Sequence, residues 1–330
     1  MFVKDPTEEA LEKNLRPKRW DEYLGQKKVK DTLKIIIEAA KKRAEPLEHL
    51  LFYGSPGLGK TTLAHVIANE LGANIKICTG PTLEKAGDLA SILTNLEDGD
   101  ILFLDECHRM QKAVMEMLYS ALEEFQLHLV MGRGPMARTM DLDLPRFTLI
   151  GATTRMALLP APLRNRFGAI FQLQFYTQEE IEQILRRSSA LLRIAVDEDA
   201  LHLISTRSRY TPRIANRILK RVRDFATIDG SDTVTKGIAE KAFSFLEIDE
   251  LGLEPADRKV IEVLIHKFLG GPVGIQALAS AVSEEEDTIL DLYEPYLLQL
   301  GLLERTPRGR VATALAYRHF QTPPPKTGLL

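Results

Sequence analysis

The stretch "HLLFYGSPGLGKTTLAHVIANELG", residues 49–72, decides the fold. Its first six residues are a short apolar run closed by glycine, the pattern of a buried strand. Its last twelve, "TTLAHVIANELG", have helical periodicity and a glycine stop. Between them, "GSPGLGKT" (54–61) matches G-x-x-x-x-G-K-[ST], and the flanking strand and helix are the context that gives this motif meaning. Glycines let backbone N–H groups turn inward around phosphate oxygens, and the helix N-terminus adds a favourable dipole. Gly54, Gly57, Leu58, Gly59, Lys60, Thr61 and Thr62 are therefore the expected nucleotide cradle. Lys60 would reach the β- and γ-phosphates and the Thr61 hydroxyl would take a place on Mg²⁺.

Further along, "DILFLDE" (100–106) is a second apolar strand and delivers two acids at its carboxyl end, where α/β sheets place ligands. Asp105 suits the hydrated Mg²⁺ of an ATP complex, and Glu106 suits a water-polarising base. Cys107 and His108 follow directly, but one Cys and one His without further paired ligands make a weak zinc signal. Both are read as packing or supporting residues. A third strand, "FTLIGATT" (147–154), presents Thr153 and Thr154, either of which can bond the attacking water or the γ-phosphate.

Strands alternating with helices such as "KAVMEMLYSALEEF" predict a parallel α/β sheet. From Thr177 the strands are expected to stop: "QEEIEQILRRSSALL", "EDALHLISTRS" and "PRIANRILKRVRDFATI" are all helical in period. The resulting division is a large α/β P-loop ATPase domain (1–176), a small all-α lid domain (177–249) and a third domain (250–330), with "DELGLEP" as the joint and "QTPPPKTGLL" as a disordered tail. No apolar run approaches the roughly 20 residues that cross a bilayer, so no membrane role is expected. The N-terminus is too charged for a secretory signal, and two cysteines make no disulfide framework, which suits a reducing cytoplasm. With a net charge of −3, any nucleic-acid binding must rest on local patches.

"LRNRFG" (163–168) sets Arg164 and Arg166 two residues apart, with Asp143 the nearest acid upstream and Glu179 the nearest downstream. Such a pair shortly after the third strand suits an arginine finger, which stabilises charge developing on the γ-phosphate. A pair of solvated surface arginines is the open alternative. Arg213, just inside a helix start after Pro212, could reach the same phosphate from the small domain.

In the third part, "ADRKVIEVLIHKF", "GIQALASAVS" and "EEDTILDLYEPYLLQLG" precede "RTPRGRVATALAYRHF", the order of a winged-helix domain with a β-wing around "TPRG". The third helix carries Glu284, Glu285, Glu286, Asp287, Asp291 and Glu294, charges that would repel phosphates. The wing is the better DNA contact, through Arg305, Arg308 and Arg310, by phosphate contacts that position without specifying sequence. "FQLHLVMGRGPMARTMDLDLP" (125–145) reads as a hairpin, with Leu127, Leu129 and Met131 alternating on one arm and Met140, Leu142 and Leu144 on the other. Met136 at its tip would be an adaptable apolar contact.

"GSPGLGKTTLAH", "LDECHR", "LDLPRFTLIGATTR", "PLRNRFG", "TPRIANR" and "RTPRGRVATALAYRHF", in that order from about Leu15 to Phe320, resemble the RuvB family, the bacterial Holliday-junction branch-migration motors of the AAA+ class. The resemblance implies an ATP-hydrolysing hexameric ring around the duplex arms of four-way DNA junctions. It also implies a partner, RuvA, met through the 126–145 hairpin with Met131 and Met136, and RuvC indirectly. It makes Arg166 the finger acting in trans and Arg213 a second sensor, and it adds Leu15, Arg16, Glu123, Glu124, Phe125 and Tyr176 as nucleotide-holding residues. Two departures stand out: Cys107 where the family usually has isoleucine, and Tyr210 where it usually has glycine. A tyrosine at positive φ would be strained and would put the backbone ahead of Arg213 in doubt.

A clamp-loader-type AAA+ ATPase is the nearest competitor, but it should carry a Ser-Arg-Cys motif and a collar domain. A protein unfoldase should show an aromatic pore loop, and a DEAD/DEAH-type helicase a second α/β domain. A non-enzymatic DNA-binding module would not need Lys60, Asp105 and Glu106 together.

Overall fold

The computed structural model describes residues 15–131 and 138–324. The chain divides into two compact units at Tyr176/Thr177.

The first unit is built on a five-stranded parallel sheet. In chain order its elements are α1 (Lys27–Arg43), β1 (Leu50–Tyr53), α2 (Lys60–Leu71), β2 (Ile75–Thr79), α3 (Ala86–Leu93), β3 (Ile101–Asp105) and α4 (Lys112–Glu123). Then come β4 (Gln126–Met131), β5 (Arg138–Asp143), β6 (Thr148–Thr153), the short α5 (Ala161–Arg164) and β7 (Ala169–Gln172). The sheet order is β2-β3-β6-β1-β7. The three strands expected from sequence, β1, β3 and β6, are its centre, and buried residues run along almost their whole length. One face of the sheet packs Leu51, Leu102, Leu104 and Leu149 against Leu89 and Leu93 of α3 and Val114 and Leu118 of α4. The register aligns Tyr53 with Thr153, so the carboxyl ends of β1, β3 and β6 form one edge. That edge is where such a sheet holds ligands.

β4 and β5 pair antiparallel, as the hairpin reading expects, with Leu127 opposite Leu142 and Leu129 opposite Met140. Met136 and the rest of the tip lie outside the described residues.

The second unit begins with α6 (Gln178–Leu192), α7 (Glu198–Thr206), α8 (Pro212–Ile228) and α9 (Lys236–Phe245). Three starts are fixed by side-chain caps: Thr177 accepts from Glu180 N, Asp197 from Ala200 N and Thr235 from Ile238 N. Strands do not stop here altogether. β8 (Ala195–Val196) and β9 (Thr233–Val234) form a two-residue parallel pair that ties the loop after α6 to the loop after α8. Four residues in two pieces carry no readable alternation, which is why the sequence reads as all-α.

Next come α10 (Pro255–His266), α11 (Ile275–Val282), α12 (Glu286–Thr288), a π-helical turn (Ile289–Tyr293) and α13 (Glu294–Gln299), the last three continuous along the chain. β10 (Leu303–Thr306) and β11 (Gly309–Ala312) make the expected hairpin around "TPRG", and α14 (Ala314–His319) follows. Their shared core includes Val260, Ile261, Leu264, Leu278, Ile289, Leu297, Leu303 and Ala316. The expected disorder does not begin at Gln321. Thr322 N donates to Tyr317 O at 2.9 Å and closes α14, while residues beyond 324 lie outside the described residues.

Candidate nucleotide site and DNA wing

The phosphate loop has the backbone its glycines predict. Gly54, Gly57 and Gly59 have φ of 145°, 83° and 97°. At Gly54 a Cβ would lie 2.7 Å from the Leu173 carbonyl oxygen, so no side chain fits there. At Gly59 it would meet the Tyr23 hydroxyl at 3.0 Å. Lys60 is buried, and its ammonium donates to the carbonyls of Gly54 at 2.7 Å and Ser55 at 3.1 Å, inside the loop whose ligand it is expected to bind. Leu58 is buried beneath the loop; Thr61 and Thr62 are half-buried in the first turn of α2. This donor set fits a magnesium nucleotide: a loop too tight for side chains, a helix start, a lysine, and a hydroxyl beside a carboxylate-bearing strand.

Residues that the resemblance adds are partly brought to this cradle. Tyr176 is buried and its hydroxyl bonds Leu58 O at 3.2 Å, with the Tyr23 hydroxyl 3.4 Å away. Leu15 is buried, and Arg16 Nη1 lies 3.3 Å from His65 Nε2 on α2. Burial, and then the Arg16 charge, lower the His65 pKa, so the ring meets Arg16 as a neutral acceptor.

Glu106 sits at a left-handed φ of 47° immediately after β3. Its Oε2 accepts from the Thr154 hydroxyl at 3.2 Å and from Thr154 N at 3.4 Å. His108 Nδ1 is 3.2 Å from the same oxygen and 2.9 Å from the Thr153 hydroxyl, which also accepts from Arg155 N. The carboxylate is therefore held by the end of β6 and by His108. Asp105 accepts from Glu106 N at 3.0 Å. His108 is thus a supporting residue, found in sequence only as the residue two past Glu106. Gly80 supports the same turn: a Cβ on it would stand 2.3 Å from Glu106 O, and nothing in its neighbourhood of sequence announces that. Cys107 is buried, and burial, with Glu106 and Asp105 nearby, pushes its thiol up to about 12, so it packs as a small apolar residue.

Arg166 of "LRNRFG" is not unpaired. Arg166 Nη2 donates to Glu123 Oε2 at 2.6 Å, and Nε and Nη1 bond the carbonyls of Tyr119 and Pro162. Its guanidinium also lies over the Tyr119 ring, 4.8 Å from the centroid. The acid comes from α4, more than forty residues away, so local spacing could not reveal it. All these partners lie on α4 and α5, none on the phosphate loop. Glu123 therefore stands with Arg166 rather than with Lys60. Phe125, beside it, packs edge-on against Phe147, and Glu124 meets His128.

Arg213 is exposed in the first turn of α8, in the second unit. The doubt raised by Tyr210 is answered in part: Tyr210 does take φ 52°, and Arg209 before it φ 50°. The left-handed run ends there. Thr211 is extended at φ −129°, Pro212 opens α8, and Arg213 sits on a regular helix start.

On the wing, Arg305 and Arg310 face each other across the β10–β11 ladder. The acid between them is Glu294, whose side chain is fully buried. The structure corrects the expectation that Glu294 belongs to a phosphate-repelling surface: its charge is taken up by two arginines. Arg308, at the turn, is exposed.

Profiles of known families match almost the whole chain in three consecutive pieces. They are the Holliday junction DNA helicase RuvB P-loop domain over residues 15–173, the RuvB AAA lid domain over 176–249, and the RuvB C-terminal winged helix domain over 250–321. The chain belongs to the RuvB family. The Holliday junction branch migration complex subunit RuvB of Dehalococcoides mccartyi is 56% identical over 95% of this chain and 90% of its own length. The protein of the same name from Kosmotoga olearia is 56% identical over 96% of this chain and 93% of its own. Among solved structures, the Thermotoga maritima RuvB branch migration motor superposes with a TM-score of 0.88 at 49% identity, covering 94% of this chain and all of that one. A winged-helix domain after the lid separates this chain from the clamp-loader alternative.

Proposed function

We propose that this chain is the ATP-driven motor subunit that moves duplex DNA through a homo-hexameric ring and so drives branch migration of four-way junctions. The observation that carries the reading is the split site: Lys60, Thr61, Asp105 and Glu106 gather at one sheet edge, while Arg166 and Glu123 are paired elsewhere on the same large unit. A motor whose finger stands apart from its own cradle needs a neighbour to complete the reaction. Glu123, Glu124 and Phe125 would then meet the nucleotide of the adjoining protomer, alongside Arg166.

In the cradle, Lys60 would exchange the Gly54 and Ser55 carbonyls for phosphate oxygens, and Leu15, Arg16 and Tyr176 would hold the base end. Thr61 and Asp105 would hold Mg²⁺, which neutralises phosphate charge when bound. Glu106 would orient the attacking water once Thr154 releases or redirects its carboxylate, with Thr153 steadying His108 behind it. Arg213 would read the nucleotide state from the lid. Residues 1–176, 177–249 and 250–330 would act as motor, lid and DNA-holding head, the wing arginines touching phosphates. The 126–145 hairpin, with Met131 and Met136, would engage RuvA in the cytoplasm, and RuvC would act on the same junction indirectly.

The test is strand exchange on a synthetic four-way junction with RuvA, ATP and Mg²⁺. Arg166→Ala should abolish migration and cut ATP turnover by about 10³-fold or more. Mixing Arg166→Ala with Glu106→Gln should restore part of the turnover, because some interfaces then pair an intact Glu106 with a neighbour's Arg166. ATP hydrolysis without any junction movement by the wild type would overturn the motor reading.

A further inference from the structure

Two arginines directly opposite each other on a two-stranded ladder share one face and repel. Arg305 and Arg310 are such a pair. Glu294, the first residue of α13, resolves the conflict. Its Oε1 accepts from Arg305 Nε at 2.7 Å and Arg310 Nε at 3.0 Å. Its Oε2 accepts from the two Nη2 atoms at 2.7 and 3.3 Å. Both guanidiniums thus present the same edge to one carboxylate. Glu294 is wholly buried, Arg310 is 15% exposed and Arg305 is 53% exposed, so the cluster is anchored inside and open outside.

The base of the wing is fixed to match. Val273 makes a single antiparallel bridge to Arg310, through bonds of 2.8 and 3.0 Å. Gly309, at φ 137°, and Gly271 approach it so closely that a Cβ on either would stand 2.3 Å from a backbone oxygen.

We infer that Glu294 is the positioning residue of the wing: it holds Arg305 and Arg310 together in the orientation that grips DNA phosphates. The inference rests on the wing being the DNA contact. It has a counter-intuitive sign. Deleting a negative charge from a DNA-binding domain should tighten binding by simple electrostatics, whereas loss of this carboxylate lets the two arginines repel and swing apart. A duplex phosphate is the natural ligand for two guanidiniums held side by side at the wing.

The experiment uses the full chain and random-sequence duplex DNA, with affinity measured across a salt series and folding checked by thermal melting. Glu294→Gln should bind about tenfold more weakly at 0.1 M salt, with the salt slope reduced by about 1 to 2. Arg305→Gln should weaken wild type but have little further effect in the Glu294→Gln background. Arg308→Gln at the turn should weaken both backgrounds equally, which a collapsed wing would not allow. If Glu294→Gln melts early, Glu294→Asp, which keeps the charge and withdraws it by one methylene, takes its place in the same cycle. Equal or tighter binding by the Glu294 variant, with Arg305→Gln weakened, overturns the inference and leaves the wing reading standing. Wild-type affinity in Arg305→Gln and Arg308→Gln alike overturns the wing reading itself.

Discussion

At Gly54 the need for glycine is both steric and conformational. The residue has φ 145°, and a Cβ would press on the Leu173 carbonyl at 2.7 Å and on Leu58 Cδ1 at 3.2 Å. Gly72, after α2, has φ 69° but open space around it. Replacing each by alanine therefore separates the two costs. Gly72→Ala should lose about 1 kcal/mol, the left-handed penalty alone. Gly54→Ala should lose about 2–3 kcal/mol, since β1 and the segment ahead of Tyr176 must move apart as well. Urea melts would give both values, and binding of a fluorescent ATP analogue should fail only for Gly54→Ala. Equal losses would show that the loop yields without strain. The glycines, Lys60, Asp105 and Glu106 were legible because each is tied to a motif of fixed spacing. Glu123 beside Arg166, and Glu294 beside Arg305, were not: their partners meet through the fold, and a count of nearby acids along the chain misses them.

The β4–β5 hairpin owes its lower part to charges as well as to alternation. His128 stands opposite Asp141 in the ladder, with Nδ1 2.7 Å from Asp141 Oδ1 and Nε2 3.3 Å from Glu124 Oε2 at the end of α4. The bond to Asp141, then that to Glu124, raises the His128 pKa. A raised folded pKa means the protonated ring is favoured by folding. Its contribution is fully present below about pH 6.5, the ordinary histidine value, and is lost as pH rises through the higher folded pKa. NMR titration of the His128 ring should show that elevated pKa, and Asp141→Asn should lower it. An unchanged titration in Asp141→Asn would show that the pair does not form in solution. Legibility of the elements followed burial. β1, β3 and β6 are buried on both faces and read as continuous apolar runs. The edge strands β2 and β7 did not: β2 carries Lys76 and has Ile77 half exposed, and β7 is four residues long with Ile170 exposed. An edge strand has one neighbour and need not be apolar throughout, so its pattern fades into loop.

Across the second unit, lid and head are joined by polar contacts, those of Arg209 buried, as well as by chain. Arg209 bonds both oxygens of the fully buried Asp257, and its Nε donates to Gly252 O at 3.0 Å. Arg258 reaches back to the Glu247 carbonyl at 2.6 Å, and His319 Nε2 lies 2.9 Å from Asp249 Oδ2. Tyr210 packs its ring against the head core from the strained position next to Arg209. Its left-handed backbone costs about 1 kcal/mol relative to glycine. The half-buried ring returns on the order of 2 kcal/mol through apolar burial. Packing therefore outweighs strain, and the Tyr210 ring stiffens the link between lid and head. Tyr210→Gly should lower the stability of the second unit by about 1 kcal/mol despite relieving the backbone, seen as an earlier calorimetric transition. Tyr210→Asn, which tolerates the left-handed region but lacks the ring, should fall by at least as much. A glycine variant that melts later would mean that strain wins. The buried Arg209–Asp257 pair would then be left to join lid and head without help from the ring.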